Sequence, residues 1–144
     1  MLQKLNSKRG GFTLVEIMIV VAIIALLAAI AVPNFLRARK RSQATTILEE
    51  MRILDAAKDQ YAIERNVLGG VTVTGSDLAP YVKNGTRLSN LLIAAGTNAA
   101  YNDILGKAIQ INAIDAVPKV HTDTVNNFTD VIVSTNQFWG SYAP

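Results

Sequence analysis

From Ile17 to Val32 this chain carries no polar side chain, and that run limits what the chain can fold into more than any other feature. Extended back to Phe12, with only Thr13 and Glu16 interrupting, it gives about 21 residues, or ~30 Å of helix at ~1.5 Å per residue, the hydrocarbon thickness of a bilayer. The stretch Gly11 to Val32 is therefore able to span a membrane. Ala22, Ala25, Ala28 and Ala29 give it a small-residue surface, which suits either close helix contact or exposure to lipid. Glu16 is the anomaly, because a carboxylate in an apolar helix needs a partner. No basic side chain lies between Phe12 and Val32, and Lys8 and Arg9 sit behind Gly10 and Gly11, too far for a pair at helical spacing. A cut between Gly11 and Phe12 would create a new α-amino group four residues before Glu16, within reach of a neighbouring copy's carboxylate.

The string Lys8-Arg9-Gly10-Gly11-Phe12-Thr13-Leu14-Val15-Glu16, followed by an apolar run and then Pro33, resembles the N-terminus of a bacterial type IV prepilin or a type II secretion pseudopilin. The resemblance covers roughly residues 8 to 41 and fades beyond them. It implies cleavage after Gly11 by a membrane prepilin peptidase, N-methylation of Phe12, pairing of Glu16 with the Phe12 amine of a neighbour, and packing of the helices into the core of a filament. It also implies cytoplasmic ATPases and an inner-membrane platform as assembly partners. Members of the family often carry Gly where this chain has Ala25, and Ala holds a helix more firmly than Gly by ~1 kcal/mol.

Charge is misleading until the first residues are set aside. The chain has 14 basic and 11 acidic side chains, a net of +3. Lys4, Lys8 and Arg9 fall before Gly11 with no acid among them, so removal of residues 1–11 brings the net to zero. What remains is segregated: Arg37, Arg39, Lys40 and Arg41 form a cationic collar, and acids outnumber bases beyond it. The collar fits anionic headgroups, where each charge is worth about 1 kcal/mol, or charge pairing inside a filament. Four cations without interleaved aromatics are a poor nucleic-acid signature, and no nucleic-acid partner is expected. The positive-inside rule is close to a tie between leader and collar, so orientation rests on the resemblance. With no cysteine and His121 as the sole histidine, disulfide staples and His/Cys metal clusters are excluded, and no cofactor is expected.

Pro33 lacks an N–H and crowds the Ala29 carbonyl, so a kink is expected in a helix that continues past it. From Ala44 to Tyr61, Ala44, Ile47, Leu48, Met51, Leu54, Ala57 and Tyr61 recur at helical spacing, with Glu49, Glu50, Arg52, Asp55 and Asp59 on the other side. One kinked helix of ~54 residues, roughly 80 Å long, is predicted from Phe12 to about Arg65, ended by Asn66 and Gly69-Gly70. Beyond it the pattern predicts a short strand at Val71–Val73, a helical turn capped by Ser76, a turn at Asn84-Gly85, and at Leu88–Ala95 a short helix, with a strand as the alternative. A half-buried strand follows over Lys107–Ile114, then a helix capped by Thr122 that carries Val125, Phe128 and Ile132, and a tail around Trp139 that packs back. His121 reads as a loop residue. Asp103 beside Gly106 reads as an Asp-led turn, the calcium-binding region of major pseudopilins being the alternative by resemblance. The aromatic side chains read as core or subunit contacts.

The expected architecture is α+β: a long kinked N-terminal helix, half transmembrane and half amphipathic, packed on a small antiparallel sheet in the head. The segments are a leader at 1–11, a transmembrane and polymerisation half-helix at 12–36, an amphipathic half at 37–65 and a head at 66–144. The implied function is structural, a homopolymer built through the N-terminal helix, with no catalysis. The implied location is the inner membrane as a single-pass precursor, then a periplasmic or cell-surface filament serving adhesion, motility, DNA uptake or secretion. A type II secretion pseudopilin is the alternative. A secreted domain cut before Val32, where Ala29-Ile30-Ala31 offers a signal-peptidase pattern, and an uncleaved single-span anchor stand further off.

Overall fold

The computed structural model describes residues 11–144; the leader apart from Gly11, with Lys4, Lys8 and Arg9, lies outside the described residues. Helix α1 runs Leu14–Arg65 and contains Pro33. It ends as its sequence requires. Asn66 takes a left-handed φ of 48°, its N–H bonds Ile63 O at 3.4 Å, and the Val67 N–H reaches back to Ala62 O at 3.1 Å, the paired closure of a Schellman motif. The chain divides into two compact units, one ending at Leu36 and one running Arg37–Pro144.

In the first unit every side chain from Phe12 to Leu36 is exposed. Phe12 is 84% and Phe35 68% accessible. This part of α1 is long and apolar enough to cross a membrane, and it is exposed along its length.

In the second unit the predicted stripe is the floor of the core. Ala44, Ile47, Leu48, Met51, Leu54 and Ala57 are buried, and Tyr61 packs at the margin. Over the stripe lie α2 (Gly75–Leu78), a 3-10 turn at Ala79–Tyr81, α3 (Arg87–Ala95), β1 (Ala100–Asn102), β2 (Ala108–Gln110), α4 (Thr122–Asn127), α5 (Thr135–Trp139) and a 3-10 turn at Gly140–Tyr142. β1 and β2 pair antiparallel with Tyr101 opposite Ile109, and these two face the core. Gln110 and Lys119 exchange backbone bonds at 3.1 and 3.0 Å, extending the ladder by one bridge. The fold is the α+β arrangement read from the sequence.

Several local expectations shift by a few residues. Thr72 makes only an isolated bridge, to Ala113, in place of a strand at 71–73. The β2 strand stops at Gln110, since Asn112 turns left-handed at φ 61° and its side-chain amide donates to Val117 O at 2.9 Å. Thr74, not Ser76, starts α2: its N–H and hydroxyl donate to the Asp77 carboxylate at 2.9 and 2.6 Å. The N-cap of α4 is His121, whose Nδ1 accepts from the Asp123 N–H at 3.1 Å, and α4 ends before Phe128, so Ile132 is not part of it. The α3 helix, capped by Thr86, and the returning tail are as predicted. Trp139 is buried, with Phe138 edge-on at 4.9 Å and Phe128 at 6.3 Å.

Two charged side chains enter this core from α1. Glu50, expected on the outer face, is buried and takes the Arg87 guanidinium of α3 at 2.5 Å. Lys58 is fully buried. Its Nζ donates to Ile111 O at 3.1 Å and to Ala116 O, while Asp115 of the same loop accepts from Gly70 N at 2.8 Å. Burial pulls the Lys58 pKa down from its ordinary 10.5, and the nearby carboxylates of Asp55, Asp59 and Asp115 oppose that shift.

Trp139, the sole tryptophan, reports unfolding of the full chain in detergent. Lys58→Ala leaves two carbonyls without their donor and opens a cavity, and is expected to cost ~2–4 kcal/mol in denaturant titrations. Above its depressed native pKa, Lys58 has shed its proton in the folded chain while the unfolded chain still holds it. The stability difference between wild type and Lys58→Met therefore increases as pH rises toward 10.5, and a flat difference would exclude a depressed lysine. Gly75 lies so close to α3 that an added Cβ would come within 2.9 Å of Ala95 Cβ, so Gly75→Ala is expected to lose ~1–3 kcal/mol by the same readout.

Candidate functional site

The start of α1 is built by two side chains. Thr13 is its N-cap and Glu16 the third helical residue. The Glu16 N–H bonds Thr13 Oγ1 at 3.2 Å, and Glu16 Oε2 accepts from the Thr13 N–H at 2.8 Å and from its hydroxyl at 2.7 Å. This is a capping box, the Thr-x-x-Glu signature by which two orphan donors at a helix start are satisfied reciprocally. Sequence reading took Glu16 as a carboxylate in want of a partner; the spacing to Thr13 was the signal that supplies one. The carboxylate also sits in the first turn, where the helix dipole favours negative charge. Gly11 and Phe12 precede the helix and are exposed. A free amine on Phe12 would stand next to a carboxylate already held in position by its own helix.

Among the described residues, the remainder of the first unit is exposed and largely apolar helix. A contiguous exposed apolar area on this scale marks a membrane or protein contact.

The four collar cations separate into two pairs. Lys40 Nζ binds Asp130 Oδ2 at 2.8 Å and Asn127 O at 3.4 Å, and the Arg41 Nε–H donates to Val131 O at 3.1 Å. Both clip the segment after α4 onto α1. The Lys40 ammonium holds the Asp130 carboxyl below its ordinary range. Arg37 and Arg39 are exposed, and among the described residues neither makes a hydrogen bond or ion pair within the second unit.

Asp103 serves the head. Its Oδ1 accepts from the Leu105 and Lys107 N–H groups at 2.7 and 2.9 Å, and its Oδ2 from the Thr124 hydroxyl at 2.6 Å. This is the Asp-led turn, tied to α4. Among the described residues no cluster of His, Cys, Asp or Glu is arranged to hold a metal ion.

Residues 6–32 match the family described as Prokaryotic N-terminal methylation motif. The chain is 32% identical over 119 residues to the type IV major pilin protein PilE1 of Neisseria gonorrhoeae, covering 74% of this chain and 70% of that one. It is 45% identical over 61 residues to the type IV wide pilus major component PilA4 of Thermus thermophilus, covering 42% of this chain and 45% of that protein. With the type IV major pilin protein PilA of Myxococcus xanthus it shares 41% identity over 63 residues, which is 44% of this chain and 29% of the relative. The chain thus spans less than half the length of these last two relatives. No solved structure matches it.

Proposed function

Because this chain belongs to the type IV pilin family, we propose that it is the structural subunit of a type IV pilus-like helical filament, polymerised through its N-terminal helix and performing no catalysis. The observation that carries this reading is the uncovered apolar half of α1, headed by a capped carboxylate at Glu16 and preceded by Gly11-Phe12. Such a helix has two stable environments, a bilayer and a bundle of its own kind, and a filament subunit passes from the first to the second.

On this reading residues 1–11 are a leader removed by a prepilin peptidase between Gly11 and Phe12, and Phe12 is N-methylated. Residues 12–36 form the polymerisation half-helix, 37–65 the amphipathic half and 66–144 the head. The precursor waits in the inner membrane as a single-pass protein, with Arg37, Arg39, Lys40 and Arg41 at the headgroup level, until platform and ATPase partners feed it into a filament at the cell surface. Glu16 pairs with the new amine of a neighbouring Phe12. Removing one partner of a buried charge pair is far costlier than never burying it, so the pair works as a register device that exists only after cleavage. Pro33 supplies a bend between the halves.

Two measurements test this. Protein purified from its own host is expected to begin at an N-methylated Phe12 by intact mass and terminal sequencing; a chain beginning at Val32, or one retaining the leader, removes the reading. Glu16→Gln keeps the capping box, because Gln serves at that position as Glu does, but loses the charge. It is expected to insert into membrane at wild-type level yet give few filaments, and normal filament yield would eliminate the pairing.

A further inference from the structure

The end of α1 and the turn after α2 enclose a hollow of about 500 Å³ lined by Tyr61, Glu64, Arg65, Asp77 and Tyr81. Tyr61 and Tyr81 stand edge to face, centroids 5.8 Å apart and planes at 84°, so the two rings form a corner. Glu64 and Asp77 place two carboxylates in the lining, the second held by Thr74, against one guanidinium, Arg65, which lies against Tyr81 and Glu64 and leaves the lining one negative charge in excess. The Glu64 carboxylate next to Tyr81 raises that phenol's pKa. A corner of aromatic faces with surplus negative charge suits a guanidinium, which is drawn to ring faces and to carboxylates alike. The larger hollow of about 780 Å³, which includes Asn98, Asn102 and Gln110, has no charged side chain in its lining and offers a cation nothing comparable.

The same chain carries an exposed cation, Arg39, that makes no hydrogen bond or ion pair among the described residues, with Arg37 close by but within the field of Asp130. It cannot fold back into its own corner, because Arg39 and Glu64 lie on one helix, about 38 Å apart along its axis at ~1.5 Å per residue. Another copy of the chain supplies the match. We propose that the Tyr61–Tyr81 corner, with Glu64, is the docking site for Arg39 of a second copy of this chain, displaced along the shared helix direction by about that distance. The contact is heterologous: each copy offers a donor at one level and a receptor at another, so it leaves a free site at each end and propagates as an open helical array. This deepens the filament reading and rests on it.

The absence of cysteine from the chain makes the test direct. Full-length protein carrying both Arg39→Cys and Glu64→Cys is expressed in the native host, and sheared filaments are treated with a short bismaleimide. The expected result is a ladder of dimers, trimers and higher species from the double variant and none from either single variant. Filaments that form but give no ladder overturn the docking site. Failure of the wild-type chain to form filaments overturns the function above and this contact with it. Charge reversal gives a readout free of cross-linking: Arg39→Glu and Glu64→Arg each lower filament yield, and the two together restore it. Loss without restoration rejects the pairing.

Discussion

The second unit depends on one stripe of α1. From Ala44 to Ala57 the helix presents apolar side chains at intervals of three and four, and these share one buried cluster with side chains of α2, α3, β1, β2, α4 and α5. Strands of three residues contribute few ladder bonds, so the sheet is not an independent scaffold. A two-stranded ribbon of this size is marginal by itself. It is ordered because Tyr101 and Ile109 reach the stripe, and the loops around it are ordered because α1 grips them.

A single helix thus meets two demands. From Ile17 to Val32 its surface is apolar all round and wants lipid or other helices; beyond Arg37 it is amphipathic and wants a head. The change falls where Arg37, Arg39, Lys40 and Arg41 cluster. The clustering hides a division of labour within the four, set by which of them the segment after α4 reaches. Lys40 and Arg41 are consumed in holding the 127–131 segment, which leaves the other two for outside contacts.

Much of this was legible in the sequence, and the residues show why. The period of three and four gave the buried stripe directly, and Asn66 followed by Gly69-Gly70 gave the helix end. Thr13 and Glu16 carry the Thr-x-x-Glu signature of a capping box, which the charge of Glu16 taken alone does not disclose. Other features had no local signal. Lys58 shares the face of Met51 and Leu54, yet only the fold brings the carbonyls of Ile111 and Ala116 to its ammonium. Glu50 looks like one more surface acid until α3 sets Arg87 against it. His121 caps α4 because Nδ1 happens to meet the Asp123 N–H, a role that ordinary capping preference assigns to Ser, Thr, Asp or Asn. Sequence period reports which face is inside, and non-local geometry decides what a polar group on that face will touch.

Four cations of the second unit hold loops by their backbone. Lys58 takes the carbonyl of Ala116, Lys40 that of Asn127, Arg41 that of Val131 and Lys119 that of Ser141. A carbonyl belongs to every residue, whatever its side chain. At those four points the fastening is indifferent to the side chain held, so the exposed ones, Ala116, Asn127 and Ser141, are free to change what the surface presents while the anchoring cations and the path of the chain stay as they are; Asp130, whose carboxylate Lys40 also binds, has no such freedom.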